Sequence, residues 1–93
     1  MSSIKIYPRR NSKTGIVEEI IVDYGNVEIR YKVTEEDKAI EILRFDDSGS
    51  RFSRTYLPQP IFNEIKRRIK GICEENKILR RKIQERKKQL SLF

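Results

Sequence analysis

The sequence alternates most regularly at Val27-Glu28-Ile29-Arg30-Tyr31-Lys32-Val33-Thr34. Every second residue is apolar and the residues between are charged or polar, which is the pattern of a strand with one buried and one solvent-facing side. We therefore predict an antiparallel strand at residues 27–34, with Tyr31 in the core and Arg30 and Lys32 on the exposed face.

Four further strands are predicted around this one. Stretches rich in β-branched and aromatic residues, bounded by turn clusters, mark them at residues 4–8, 16–24, 39–45 and 51–57. The apolar run Ile40, Ile42, Leu43 and Phe45 in the fourth strand indicates burial on both sides of part of this strand. Proline cannot donate to a strand ladder, so Pro58 and Pro60 end the sheet. The fold class is α+β, with an antiparallel sheet of about five short strands as the body at residues 1–60.

A long helix is predicted at residues 61–88, where the chain has no proline and one glycine. Its length of about 40 Å exceeds what five short strands cover, so the distal half should project. Seven of nine heptad a/d positions are apolar in the series Phe62, Ile65, Ile69, Ile72, Asn76, Leu79, Ile83, Arg86, Leu90. A lone Asn at an a position fixes register in parallel two-stranded coiled coils.

The heptad predicts a division of the helix. The proximal half packs on the sheet, and the distal half extends into a coiled coil that makes the protein a homodimer. The dimerisation residues are Ile72, Asn76, Leu79 and Ile83. The alternative is that the whole apolar stripe packs on the chain's own sheet.

Positive charge is concentrated at one end of the chain. Residues 1–60 carry ten Lys/Arg and ten Asp/Glu, whereas residues 61–93 carry eleven Lys/Arg and four Glu, so the net charge of +7 lies in the C-terminal third. This distribution favours a polyanionic partner, above all nucleic acid, and the alternative is a solvated basic helix without a partner.

The predicted nucleic-acid-binding residues form two sets. The first lies on the helix and comprises Lys66, Arg67, Lys70, Arg80 and Arg81. The second lies on strands, interleaved with aromatic residues, and comprises Arg30, Lys32, Arg44, Arg51, Phe52, Arg54 and Tyr56. Arg54 stands between Phe52 and Tyr56 on one predicted face, which favours stacking with the bases of a single strand.

The residue inventory argues against catalysis. The chain has no histidine and one cysteine, which excludes a zinc site and the usual acid–base group at neutral pH. It has no glycine-rich phosphate loop, and Asp46-Asp47 before Ser48-Gly49 is typical of a turn rather than of a Mg²⁺ site. We expect a non-enzymatic protein without metal or cofactor. The lone Cys73 and the lack of a secretory signal or membrane span favour a cytoplasmic, nucleoid-associated location.

The C-terminal residues Gln89-Leu90-Ser91-Leu92-Phe93 resemble the bacterial sliding-clamp-binding motif, commonly written Gln-Leu-(Ser or Asp)-Leu-Phe, at every position. The resemblance implies docking on the β subunit of DNA polymerase III. Leu92 and Phe93 would fill the main hydrophobic pocket of the clamp, with Leu90 in a neighbouring hollow. Gln89 would hydrogen-bond at the pocket edge and Ser91 would act as a spacer.

The alternative is that the three apolar residues, Leu90, Leu92 and Phe93, complete the coiled-coil core. Because both roles cannot be filled at once, the helix should fray near Gln89 when the clamp binds.

The order of several strands followed by one helix resembles the positive-cofactor-four and whirly group of single-stranded-DNA-binding proteins. The residues that carry this resemblance run from 56 to 65, where the last strand leads into the helix. It implies a dimer that holds single strands on sheet surfaces.

Three functions follow as hypotheses. The first is a replication or repair accessory protein that binds DNA and is recruited to the clamp. The second is a single-stranded-DNA-binding transcription coactivator, and the third is a clamp-binding inhibitor that does not bind DNA.

Overall fold

A computed structural model describes residues 3–46 and 57–91 of the chain. It contains four strands and one helix, β1 (Ile4–Arg10), β2 (Val17–Tyr24), β3 (Val27–Val33), β4 (Ala39–Asp46) and α1 (Gln59–Ser91). The strands form one antiparallel sheet in the order β1-β2-β3-β4. The α+β class is confirmed. The fifth strand expected at residues 51–57 lies outside the described residues except for Leu57, which is buried and outside any strand.

The alternation in β3 places its side chains as predicted. Val27, Ile29, Tyr31 and Val33 are all buried on the side that faces α1. Tyr24 pairs with Val27 across a two-residue turn, and Gly25 there has a φ of 58°, which glycine adopts without strain.

The two-sided burial predicted for part of the fourth strand does not hold at its two isoleucines. Ile40 and Ile42 are 53% and 55% exposed. A bulge interrupts the β3–β4 pairing, because Arg30 pairs with Leu43 while Tyr31 pairs with Glu41, which leaves Ile42 as the extra residue. Ile40 pairs with Lys32 on the side of the sheet away from α1, so no helix covers it.

The helix begins next to the two prolines. The Pro58 carbonyl accepts hydrogen bonds from the backbone N–H groups of Ile61 and Phe62, and Pro60 sits in the first turn, where its missing N–H costs nothing. Ile65, Ile69 and Cys73 then face the sheet and are buried. Together with apolar residues of β2 and β3 they form the hydrophobic core.

The sheet side of the molecule covers α1 further than expected. Only the proximal half of α1 was predicted to pack on the sheet, with Asn76 in the dimer seam, but Asn76 is 1% exposed and its side chain bonds to the chain's own backbone. Its Oδ1 accepts from the Val17 N–H at 2.9 Å, and its Nδ2 donates to the Val17 carbonyl at 2.8 Å. These intrachain bonds weigh against Asn76 as a dimer-register residue, which stays a prediction.

The distal part of α1 extends past these contacts. At about 1.5 Å per residue the 33-residue helix is roughly 50 Å long, and the molecule measures 56 × 23 × 18 Å. From residue 81 to 87 every side chain is exposed except that of Ile83, which is half-buried. The predicted projection is present, while the coiled coil that was expected to bury it remains a hypothesis.

Candidate binding surfaces on the long helix

The sheet separates the strand cations that were predicted to act together. Arg30 and Lys32 lie on the outer face, opposite α1, whereas Arg44 pairs with Ile29 and lies on the helix side. There its guanidinium forms an ion pair with Glu41 and lies 5.5 Å from the centre of the Phe62 ring. One surface cannot use all three of these cations.

Acidic neighbours also engage the cations of the outer face. The Nε of Arg30 lies 3.0 Å from the Glu28 carboxylate, and Arg9 lies 3.9 Å from Glu19. Lys32 is exposed. The residues expected to stack with bases, Arg51, Phe52, Arg54 and Tyr56, lie outside the described residues.

Glu64 accepts hydrogen bonds from two arginines on the first half of α1. Its carboxylate accepts two hydrogen bonds from Arg67, at 2.6 and 3.0 Å, and one from Arg68 at 3.0 Å. These contacts, those of Arg67 first, lower the pKa of Glu64 from its usual 4.5 to about 2. The same hydrogen bonds raise the pKa of Arg67. Arg67, predicted to bind nucleic acid, thus has a carboxylate partner within its own helix.

Arg80 forms an ion pair with a buried carboxylate. Its Nε lies 2.9 Å from the Asp37 Oδ1, and the Asp37 side chain is 5% exposed. Asp37 stands in the β3–β4 turn with a φ of 60°, a left-handed conformation that aspartate tolerates better than most residues. A buried carboxylate needs its counter-ion, so Arg80 holds this turn against α1. This ion pair gives Arg80 a structural role, while its part in nucleic-acid binding stays a prediction.

Four further cations of α1 form a stripe along one exposed side, which we call the basic stripe. It consists of Lys66, Lys70, Lys77 and Arg81, all exposed. Spacings of four, seven and four residues place them within about 60° of one another around the helix. Lys66 also lies 4.4 Å from the centre of the Phe62 ring, and Lys77 lies 3.7 Å from Glu74. Lys77 belongs to the basic residues that the sequence places on the helix, and its spacing brings it into this stripe.

The apolar seam predicted for dimerisation is partly covered within the chain. Ile72 packs against the core, and the loop between β1 and β2 lies against Leu79, where a Cβ built on Gly15 would stand 3.5 Å from the Leu79 Cδ2. Leu79 and Ile83 are half-buried. They line a cleft of about 310 Å³ together with Lys13, Thr14, Lys82, Arg86 and Lys87. We refer to it as the distal cleft.

The clamp-like tail begins within the helix. Gln89, Leu90 and Ser91 have helical backbone, so α1 continues past its predicted end at Lys88. Leu92 and Phe93 lie outside the described residues. An extended peptide requires those last helical residues to unwind, as expected from the motif.

Two buried titratable side chains have raised pKa values. Burial, with a smaller contribution from Asp37, raises the pKa of the Cys73 thiol, which keeps it protonated. Burial likewise raises the pKa of Tyr31, whose hydroxyl has no hydrogen-bond partner within the described chain. Across residues 3–46 and 57–91 no three His, Cys, Asp or Glu side chains cluster as metal ligands. Within the same residues, no helix is both long and apolar enough to cross a membrane.

Comparison with protein-family models, with curated proteins and with solved structures finds no match.

Proposed function

We propose that this protein is a non-enzymatic, DNA-binding accessory factor of replication or repair, recruited to the bacterial sliding clamp by its last five residues. The observation that carries the proposal is the helix itself. It extends beyond the sheet, its described distal side chains are mostly exposed, and its sequence ends in a complete match to the clamp-binding motif.

The position of the motif favours capture by a partner. The β1–β2 loop contacts α1 at Leu79, about 18 Å along the helix from Ser91, so the sheet lies away from a ring protein that engages residues 89–93. Leucine and phenylalanine at the end of a highly charged segment supply apolar area that water does not favour.

The DNA-binding part rests on the charge of α1. The basic stripe carries four exposed cations on one side of the helix, and residues 61–93 hold the entire net charge of the chain. Such a row contacts phosphates without reading sequence. The sheet supports a base-stacking platform less well, because Arg44 and Tyr31 face α1 and Arg30 has an acidic neighbour.

Calorimetric titration with a purified bacterial sliding clamp tests the recruitment. Wild-type protein should bind with a dissociation constant in the micromolar range, as expected for a short peptide that is ordered on docking. Removal of Leu92 and Phe93 should abolish the heat of binding.

A conservative variant serves as the control for the tail. The motif accepts Ser or Asp at its third position, so Ser91→Asp should retain affinity to within about threefold. Equal binding by the truncated protein would refute clamp recruitment through this tail. Clamp binding without any salt-dependent DNA binding would instead identify a clamp-binding inhibitor.

A further inference from the structure

We propose that the distal cleft is a second docking site, which takes an acidic peptide segment anchored by one large apolar side chain. The cleft lies on the opposite side of α1 from the basic stripe, where the helix leaves the sheet. Leu79 and Ile83 form its apolar floor, and Lys13, Lys82, Arg86 and Lys87 form its rim.

The β1–β2 loop makes one wall of the cleft and is held in shape by its own hydrogen bonds. The Asn11 Oδ1 accepts from the backbone N–H groups of Lys13 and Thr14, at 2.8 and 3.1 Å. The Thr14 Oγ1 accepts from the Ile16 N–H at 3.2 Å. Gly15, with a φ of 76°, turns the chain so that it reaches Leu79. The wall is therefore formed before any ligand arrives.

The rim carries charge that the described structure leaves uncompensated. No acidic residue lines the cleft, and the ion pairs of residues 3–46 and 57–91 do not involve Lys13, Lys82, Arg86 or Lys87. Elsewhere on α1, Arg67, Lys77 and Arg80 each have a carboxylate partner. Four cations around one cleft, all without an ion-pair partner among the described residues, attract an anionic ligand and speed its association.

The apolar floor distinguishes between anionic ligands. Phosphates of nucleic acid would contact only the cations of the rim. A peptide with a leucine or phenylalanine among its acidic residues would contact the rim with its carboxylates and the floor with its apolar side chain. A volume of about 310 Å³ lies at the lower end of the range of ligand pockets and suits one or two side chains.

A second copy of this chain is a poor occupant. In a parallel pair of helices with the predicted register, Arg86 would face Arg86 of the partner subunit at the seam. Lys82 would stand beside the position equivalent to Lys87, also a cation. Like charges placed together across an interface oppose association, so the charge pattern favours an acidic partner over self-association.

Fluorescence anisotropy with a labelled probe peptide tests the proposal. The probe is a decapeptide of Asp and Glu with one central Phe, titrated with the full chain at low salt. Binding should saturate, and replacing the Phe of the probe by Ala should weaken it at least fivefold. Lys82→Gln with Arg86→Gln should weaken it about tenfold, and Ile83→Ser should do likewise.

Two controls make each outcome decisive. Lys5→Glu changes the net charge by the same two units as the double glutamine variant but lies on exposed β1, so it should leave probe affinity within twofold. Circular dichroism confirms that the variants remain folded. The proposal is overturned by absent binding, by equal losses from Lys5→Glu and the rim variant, or by equal affinity for the Phe-free probe. It is also overturned if Ile83→Ser weakens the binding of a labelled oligonucleotide and not that of the probe peptide, because nucleic acid would then occupy the cleft.

Discussion

Asn76 shows how one side chain changes role with its surroundings. In a coiled coil this residue would face its equivalent in a partner, whereas here its amide bonds both backbone groups of Val17. Asn76→Leu should therefore lower the free energy of unfolding by about 2–4 kcal/mol, because a buried N–H and a buried carbonyl lose their partners. Urea unfolding followed by circular dichroism measures this.

The exposed position Gln84 provides the matched control for that substitution. Gln84→Leu should change the free energy of unfolding by less than about 0.5 kcal/mol. If Asn76→Leu were to stabilise the protein, with a midpoint that rises with protein concentration, the residue would belong to an intermolecular seam and the intrachain role would be wrong.

Glu64 predicts a specific pH dependence. Its pKa is lowered to about 2 in the folded protein, against 4.5 as the ordinary value. Its contribution to stability is thus fully present above pH 4.5 and is lost as the pH falls from about 4.5 to about 2. Glu64→Gln should remove this part of the acid dependence of unfolding.

Carboxyl-carbon NMR titration measures the Glu64 pKa directly. The midpoint should lie near 2, and Arg67→Gln should raise it more than Arg68→Gln, since Arg67 donates two of the three hydrogen bonds. A midpoint near 4.5 in the wild type would contradict the cluster.

At the scale of elements, local patterns predicted the strands and the helix well. Alternation placed β3 and its buried face correctly, and the prolines located the start of α1 within two residues. The errors arose from contacts between distant residues. The bond between Val17 and Asn76 joins positions 59 residues apart, and no spacing within the helix reveals it. The bulge that exposes Ile42 depends likewise on how β4 pairs with β3.

The same distinction explains which binding residues were found. Helical spacing is local and identifies the basic stripe, including Lys77. The pairing of Arg80 with Asp37, 43 residues away, and the placement of Arg44 behind the sheet are tertiary facts. The sequence alone therefore does not show which cations form ion pairs within the fold and which stay exposed to bind a partner.

The junction between α1 and the tail gives a prediction for this element. Helical backbone at residues 89–91 must unwind for an extended peptide to dock, and this cost reduces clamp affinity. Lys88→Gly weakens the helix by about 1 kcal/mol and should therefore raise clamp affinity by up to about fivefold. Lys88→Ala removes the same charge while preserving the helix and should not raise affinity. Equal titration curves for the two variants would show that the tail docks without unwinding.

At the scale of the whole molecule, the charge asymmetry predicts how DNA binding responds to salt. If the four cations of the basic stripe contact B-form phosphates, the slope of log K against log salt concentration should be about −3.6. Lys70→Gln with Arg81→Gln removes two contacts and should reduce the slope by about two, with a loss of affinity that is uniform across sequences. Lys5→Glu changes the net charge equally but lies off the stripe, and it should preserve the slope.

Titration of all three proteins with a 20-base-pair duplex and with a 20-mer single strand, at several salt concentrations, measures these slopes. Identical slopes for the wild type and the stripe variant would place the DNA contacts elsewhere. A stronger preference for the single strand in all three would favour the sheet, where stacking residues were predicted, over the helix as the DNA-binding element.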